Sequence, residues 1–153
     1  MNPITANRRY FDDLAPSEVI ALGETRVTRE MIVTFAREFD PFQFHLDEDA
    51  ARKSLLGGLA SSGWQTAALT LRMLGDSFLT TIASMGGLGF SDLKWKKPVM
   101  VDDVISGTAT IASLRRSRSH PERGIVNIDL DMHNQRGEPV MSMRLANLVE
   151  LRD

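Results

Sequence analysis

The sequence predicts an α+β domain in which one long helix packs against an antiparallel sheet. Three observations carry that prediction: an apolar stripe at helical spacing between Trp64 and Phe78, a change of hydrophobic period from 3.6 to 2 after Gly86-Gly87, and the gathering of helix signals before that point and strand signals after it.

Taken in chain order, a first strand is expected within Glu18 to Leu22. Thr28 can cap the helix that follows, whose Met31, Ile32, Phe35, Ala36 and Phe39 share one face. That helix should end near Asp40, because Pro41 disfavours helical geometry in the residue before it. Asp47 can accept first-turn amide hydrogens of a second, short helix, which should stop at Gly57-Gly58. Between these two helices lies an irregular stretch holding His45.

Ser61-Ser62-Gly63 signals the start of the long helix, expected from about Ser62 to Leu79, with Trp64, Ala67, Ala68, Leu71, Leu74 and Phe78 as its apolar stripe. At 1.5 Å per residue it would span roughly 27 Å, enough to cross a domain of this size. Leu88 to Lys96 and Val104 to Leu114 read as strands joined through Pro98 and the Asp102-Asp103 turn. Val126, Ile128, Leu130 and Met132 then alternate with polar residues, Asn134 to Gly137 supplies a turn, and Met141, Met143 and Leu145 mark the return strand of a half-buried hairpin.

No repeat, low-complexity tract or linker divides the 153 residues, so one domain spanning 1–153 is expected. A chain of that length buries roughly two-thirds of its unfolded surface and needs no staples. A net charge of −2 gives no electrostatic reason to expect a nucleic-acid partner. The N-terminal MNPITANRRYFDDLAP has no apolar run after its arginines, so neither a secretory signal nor a membrane anchor is expected. The absence of cysteine excludes disulfides, thiolate nucleophiles and cysteine zinc sites, and fits a cytoplasmic location.

The segment FDPFQFHLDEDAARKSLLGGLASSGW, Phe39 to Trp64, holds the candidate chemistry. Its parts also have ordinary structural readings: an aspartate before proline ends helices, and Ser62 and Gly63 can simply open one. Asp47 and Asp49 suit a helix N-terminus better than a metal, and His120 and His133 fall in a loop and at a strand end, so no metal site is expected. GGLASSGW lacks the Lys-Ser/Thr of a phosphate-cradling loop, and no Gly-x-Ser-x-Gly elbow is present.

These segments together resemble a hotdog fold, and more narrowly the MaoC-like dehydratases, the group that includes (R)-specific enoyl-CoA hydratases. The family's Asp-x-Asn-Pro-x-His motif is met here by Asp40-Pro41-Phe42-Gln43-Phe44-His45, which keeps the aspartate and histidine five apart but has Phe42 and Gln43 at the Asn and Pro positions. The likeness continues through HLDEDAARKSLLGGLASSGW, KWKKPVMVDDVI and NIDLDMHNQRGEPVMSM, most of the chain. Many family members carry a histidine where this chain has Ser62.

The resemblance implies reversible addition of water to a trans-2-enoyl-CoA thioester, with coenzyme A as part of the substrate and no separate cofactor. It implies Asp40 and His45 as the pair that handles the water and the proton, since both can titrate near neutrality when burial shifts them. Gly63 would offer a first-turn amide hydrogen, without an intrahelical partner, to the thioester oxygen. Ser62, Trp64 and Phe42 are candidates to line the substrate site. Arg115 and Arg116, with Arg118, Lys94, Lys96 and Lys97, could meet coenzyme A phosphates or form a solvated basic face. A homodimer with sheets joined edge to edge is also implied.

Two other functions remain open at this stage. A thioesterase on the same fold would use a polar residue of the long helix, for which Gln65 is the candidate near its start. A binding module would keep the pocket without turnover. The acyl group depends on side chains such as Trp64, Leu69 and Met73, whose directions the sequence does not fix.

Overall fold

The computed structural model describes residues 8–152; the N-terminal reading at residues 1–7 lies outside them. Five strands form one antiparallel sheet: β1 (Val19–Arg26), β2 (Ser84–Trp95), β3 (Val104–Arg116), β4 (Arg123–His133) and β5 (Pro139–Glu150), in the order β1-β3-β4-β5-β2. Three α-helices precede β2: α1 (Arg29–Phe39), α2 (Glu48–Arg52) and α3 (Gly63–Ser77).

The hairpin expected from alternation is the centre of the sheet. Val126, Ile128, Leu130 and Met132 of β4 are at most 1% exposed, and Asn134 closes the turn by accepting the amide hydrogens of Arg136 and Glu138. Register shifts interrupt the ladders of β1, β2 and β3, with Gly23 at φ +74° where β1 is offset between Ala21 and Glu24. Such irregularities bend strands, and here the sheet curves around α3. Met73, Leu74 and Phe78 join Ile105, Ile111, Ile128 and Leu130 in the core.

The expected caps of α1 and α2 are present: Thr28 Oγ1 accepts from Met31 at 3.2 Å, and Asp47 Oδ1 from Ala50 at 2.8 Å. α2 nevertheless ends at Arg52 rather than at Gly57-Gly58. Ser54 Oγ donates to Ala51 O and accepts from Leu56 N, a local alternative that closes the helix early. β2 begins at Ser84, ahead of the expected Leu88, because Gly86, Gly87 and Gly89 pair with β5 as part of the irregular strand.

The largest difference is the facing of α3. Leu74 and Phe78 of the expected stripe are buried, but Trp64 and Leu71 are 52% and 48% exposed, and Gln65, Thr66, Thr70 and Met73 point inward in their place. The threonines can be buried because Thr66 and Thr70 donate to the carbonyls of Ser62 and Thr66. The apolar face left outside continues onto edge strand β2 through Leu88, Phe90 and Trp95.

Candidate active site

The site is assembled at three chain joints. α1 ends at Asp40, whose amide hydrogen bonds to Ala36 O, and Pro41 turns the chain out of the helix. Phe42 N donates back to Asp40 O at 2.8 Å and His45 N to Phe42 O at 2.9 Å, closing a 3-10 turn over Gln43–His45. This tight return places His45 Nε2 3.5 Å from Asp40 Oδ2. His45 is 6% exposed, with the ring of Phe44 edge-on against its imidazole.

The second joint fixes the tautomer of His45. Nδ1 lies 2.8 Å from the carbonyl oxygen of Ala60. A carbonyl only accepts, so Nδ1 carries a hydrogen and donates it. In the neutral ring Nε2 then presents its lone pair on the side where Asp40 stands, which is the arrangement of a base directed at a shared water or proton.

The third joint is the start of α3. Ser62 caps it by accepting from Trp64 N at 3.3 Å while donating to Asp40 Oδ2 at 2.7 Å, so one hydroxyl ties the carboxylate to the helix. Gly63 is the first helical residue, and its amide hydrogen has no acceptor among the described residues. Its carbonyl oxygen accepts the indole N–H of Trp95 at 2.9 Å.

A cavity of about 260 Å³ opens beside this assembly, with His45, Ser61, Gly63 and Thr66 on its polar side and Phe44, Leu56, Trp95 and Val140 among its apolar walls. Lys96 and Lys97 stand at the same cavity. Lys97 pairs with Glu138 at 2.5 Å, and its hydrogen bond, with those of Asn134 and Arg136, pulls the Glu138 carboxyl down to about 2. No group of three or more His, Asp or Glu side chains able to hold a metal ion occurs among the described residues.

Asp40, His45 and Gly63 are thus brought together, His45 and Gly63 lining the cavity and Asp40 joined to them through His45 and Ser62, while the residues expected to line the substrate site do not line this cavity within one chain. Ser62 is fully buried and its hydroxyl is spent on Asp40 and Trp64 N. Phe42 is 60% exposed and stacks on Phe44; Trp64 packs edge-on against Trp95 and Phe90 on the outer face. Arg115 and Arg116 sit where β3 pairs with the start of β4, the opposite end of the sheet from Trp95, and Arg116 is paired with Asp12.

Gln65 is also engaged away from the cavity: its Nε2 donates to Met31 O and its Oε1 accepts from Ser61 Oγ, both at 2.8 Å.

Lys96 and Lys97, named above among the candidates for coenzyme A phosphates, share this cavity with Trp95, which no sequence pattern singles out. β2 ends at Trp95, so alternation stops there and three consecutive residues reach one cavity.

The family model described as "MaoC like domain" matches residues 15–131. The chain belongs to the MaoC-like domain family. Among solved MaoC-like structures, a MaoC-like dehydratase from Rhodospirillum rubrum is 41% identical, with 94% of this chain and 98% of that one covered at a TM-score of 0.86. The protein YdeM of Bacillus subtilis (strain 168) is 27% identical over 140 residues, 92% of this chain and 98% of its own. Rv0216 of Mycobacterium tuberculosis, which has a double hotdog fold, matches at a TM-score of 0.82 over 97% of this chain and 46% of its own; at 15% identity that likeness is one of fold. The MaoC-like chain is a single hotdog domain, a curved antiparallel sheet around a long helix.

Proposed function

We propose that this MaoC-like protein is a hydro-lyase that adds water reversibly across the double bond of a trans-2-enoyl-CoA thioester. The observation that carries the reading is that a base with its tautomer fixed and an unpartnered helix-start amide line one cavity, with a tethered carboxylate 3.5 Å from the base. The 41% identity to a protein named a dehydratase supports it.

In this mechanism a water held between His45 Nε2 and Asp40 loses a proton to the pair as its oxygen bonds to the β-carbon. The electron pair of the double bond moves toward the α-carbon and the thioester oxygen, where the Gly63 amide hydrogen offsets the developing negative charge. The proton taken by the pair is then delivered to the α-carbon, so one water is added and both groups return to their starting states. Elimination is the same path reversed. Removing either acid-base group from such a pair typically costs 10²–10⁴-fold in rate.

Hydrolysis fits less well. The first turn of α3 carries no acidic residue, and both ends of Gln65 are committed to Ser61 and Met31. The apolar face of α3 and β2 is the surface through which a second copy would join edge to edge, and we include a homodimer in the proposal. A cysteine-free chain of this kind is suited to the cytoplasm, and no helix among the described residues is long and apolar enough to cross a membrane.

The test is to mix the protein with crotonyl-CoA, follow the conjugated enoyl absorbance and titrate free thiol in parallel. Loss of absorbance without thiol is the expected result. Thiol release would replace hydration by hydrolysis, and binding with neither change would leave a binding module.

A further inference from the structure

Gly63 raises a physical question that the proposed chemistry does not answer. An oxyanion donor has to be held in place before the charge develops, because a donor that must reorient loses much of its value. Yet this donor belongs to a glycine, the residue with the most backbone freedom, in the first turn of a helix, where intrahelical hydrogen bonds are fewest.

Two contacts restrain the turn from opposite sides. Ser62, the preceding residue, is fixed by its hydroxyl between Asp40 and Trp64 N. Gly63 itself is held from β2, thirty-two residues later, by the 2.9 Å hydrogen bond from Trp95 Nε1 to its carbonyl oxygen. The indole also covers the glycine: a Cβ built on Gly63 would overlap the ring atoms Cε2, Cδ2 and Nε1 of Trp95. Glycine is therefore needed at this position for the indole to close over it, a separate reason from room for substrate.

The indole is itself oriented. Trp95 is the last residue of β2 and pairs with Met141 of β5, and the ring of Trp64 stands against it at 5.1 Å and 82°. The same indole forms part of the cavity wall beside His45.

We propose that Trp95 is a positioning residue that locks the first turn of α3, so that the Gly63 amide points at the substrate's thioester carbonyl. It acts through Gly63 and takes no proton. The proposal rests on the hydratase reading of the same cavity. It predicts that the indole N–H, beyond ring bulk, sets how strongly the bound carbonyl is polarised.

Trp95→Phe keeps a ring over Gly63 and removes the donor; Trp95→Leu removes both. The probe is a chromophoric cinnamoyl thioester of coenzyme A, whose absorbance moves to longer wavelength when its carbonyl is polarised, measured alongside crotonyl-CoA turnover. The expected result is that Trp95→Phe still binds the probe but loses most of the bound-state shift, with kcat reduced roughly tenfold to a hundredfold and KM nearly unchanged. A second measurement needs no activity. Gly63→Ala should lower the unfolding midpoint in the parent and do so much less in the Trp95→Leu background, because the ring that meets the added methyl group is gone.

A parent-like shift and kcat in Trp95→Phe would overturn the positioning role while leaving the hydratase reading intact. Additive effects of Gly63→Ala and Trp95→Leu on the midpoint would overturn the claimed contact. A parent protein that neither binds nor polarises the probe, and does not hydrate crotonyl-CoA, would overturn the hydratase reading and this proposal with it.

Discussion

Replacing Ser62 by alanine removes one oxygen atom that serves two structures at once. The hydroxyl caps α3 through Trp64 N and donates to the Asp40 carboxylate, and the residue is fully buried. Loss of an N-cap costs about 1 kcal/mol, and loss of a hydrogen bond to a charged group costs about 1.5–3 kcal/mol. Asp40 keeps 18% of its side-chain surface in water, so part of the second cost is recovered by hydration. A net loss of about 2–3 kcal/mol follows, which for a chain of this size lowers the unfolding midpoint by about 5–10 °C.

The kinetic signature should separate capping from tethering. With the tether gone, Asp40 samples orientations away from His45, so kcat for crotonyl-CoA hydration should fall at least tenfold with a smaller change in KM. Ser62→Thr retains a hydroxyl and should preserve most of both properties. Thermal unfolding by circular dichroism and the enoyl absorbance assay measure the two effects on the same samples. A Ser62→Ala protein that melts and turns over like the parent would refute the double role of the hydroxyl.

Two further predictions follow from the surface. Glu138 is held well below its ordinary value of 4.5, at about 2, first by Lys97 and then by Asn134 and Arg136. A carboxyl depressed on folding adds stability above its unfolded pKa and loses it as pH falls through the folded one; denaturant midpoints should therefore drop between about pH 4.5 and 2, and Glu138→Gln should flatten that part of the curve. Leu71→Lys places a charge in the exposed apolar face of α3 and should convert the proposed dimer to monomer in sedimentation velocity, with the far-ultraviolet spectrum unchanged.

What was legible in the sequence follows local chemistry. Thr28 and Asp47 were readable as caps because the acceptor and the amides it serves lie within three residues of each other. The β4–β5 hairpin was readable because alternation and turn residues occur in one short stretch. The aspartate and histidine were readable as a pair only through their five-residue offset in a family motif, and the 3-10 turn shows how that offset brings them to 3.5 Å.

The facing of α3 was legible only at Leu74 and Phe78; nearer its start, apolar periodicity selects Trp64 and Leu71 and ignores threonines that satisfy themselves on the preceding turn. Nor was the partnership of Trp95 with Gly63, which joins a strand end to a helix start and leaves no local pattern. Nor did position along the chain tell that Phe42, Ser62 and Trp64 would face away from this cavity, or that Arg115 and Arg116 lie at the far end of the sheet.

Whether Asp40 and His45 carry out hydration is decided by the rate of absorbance loss from crotonyl-CoA for the parent, Asp40→Asn and His45→Gln at equal folded concentration. The parent should turn over without thiol release, and each variant should lose about 10²–10⁴-fold with a circular dichroism spectrum like the parent's. Near-parental turnover in both variants would rule out Asp40 and His45 as the pair that carries the reaction.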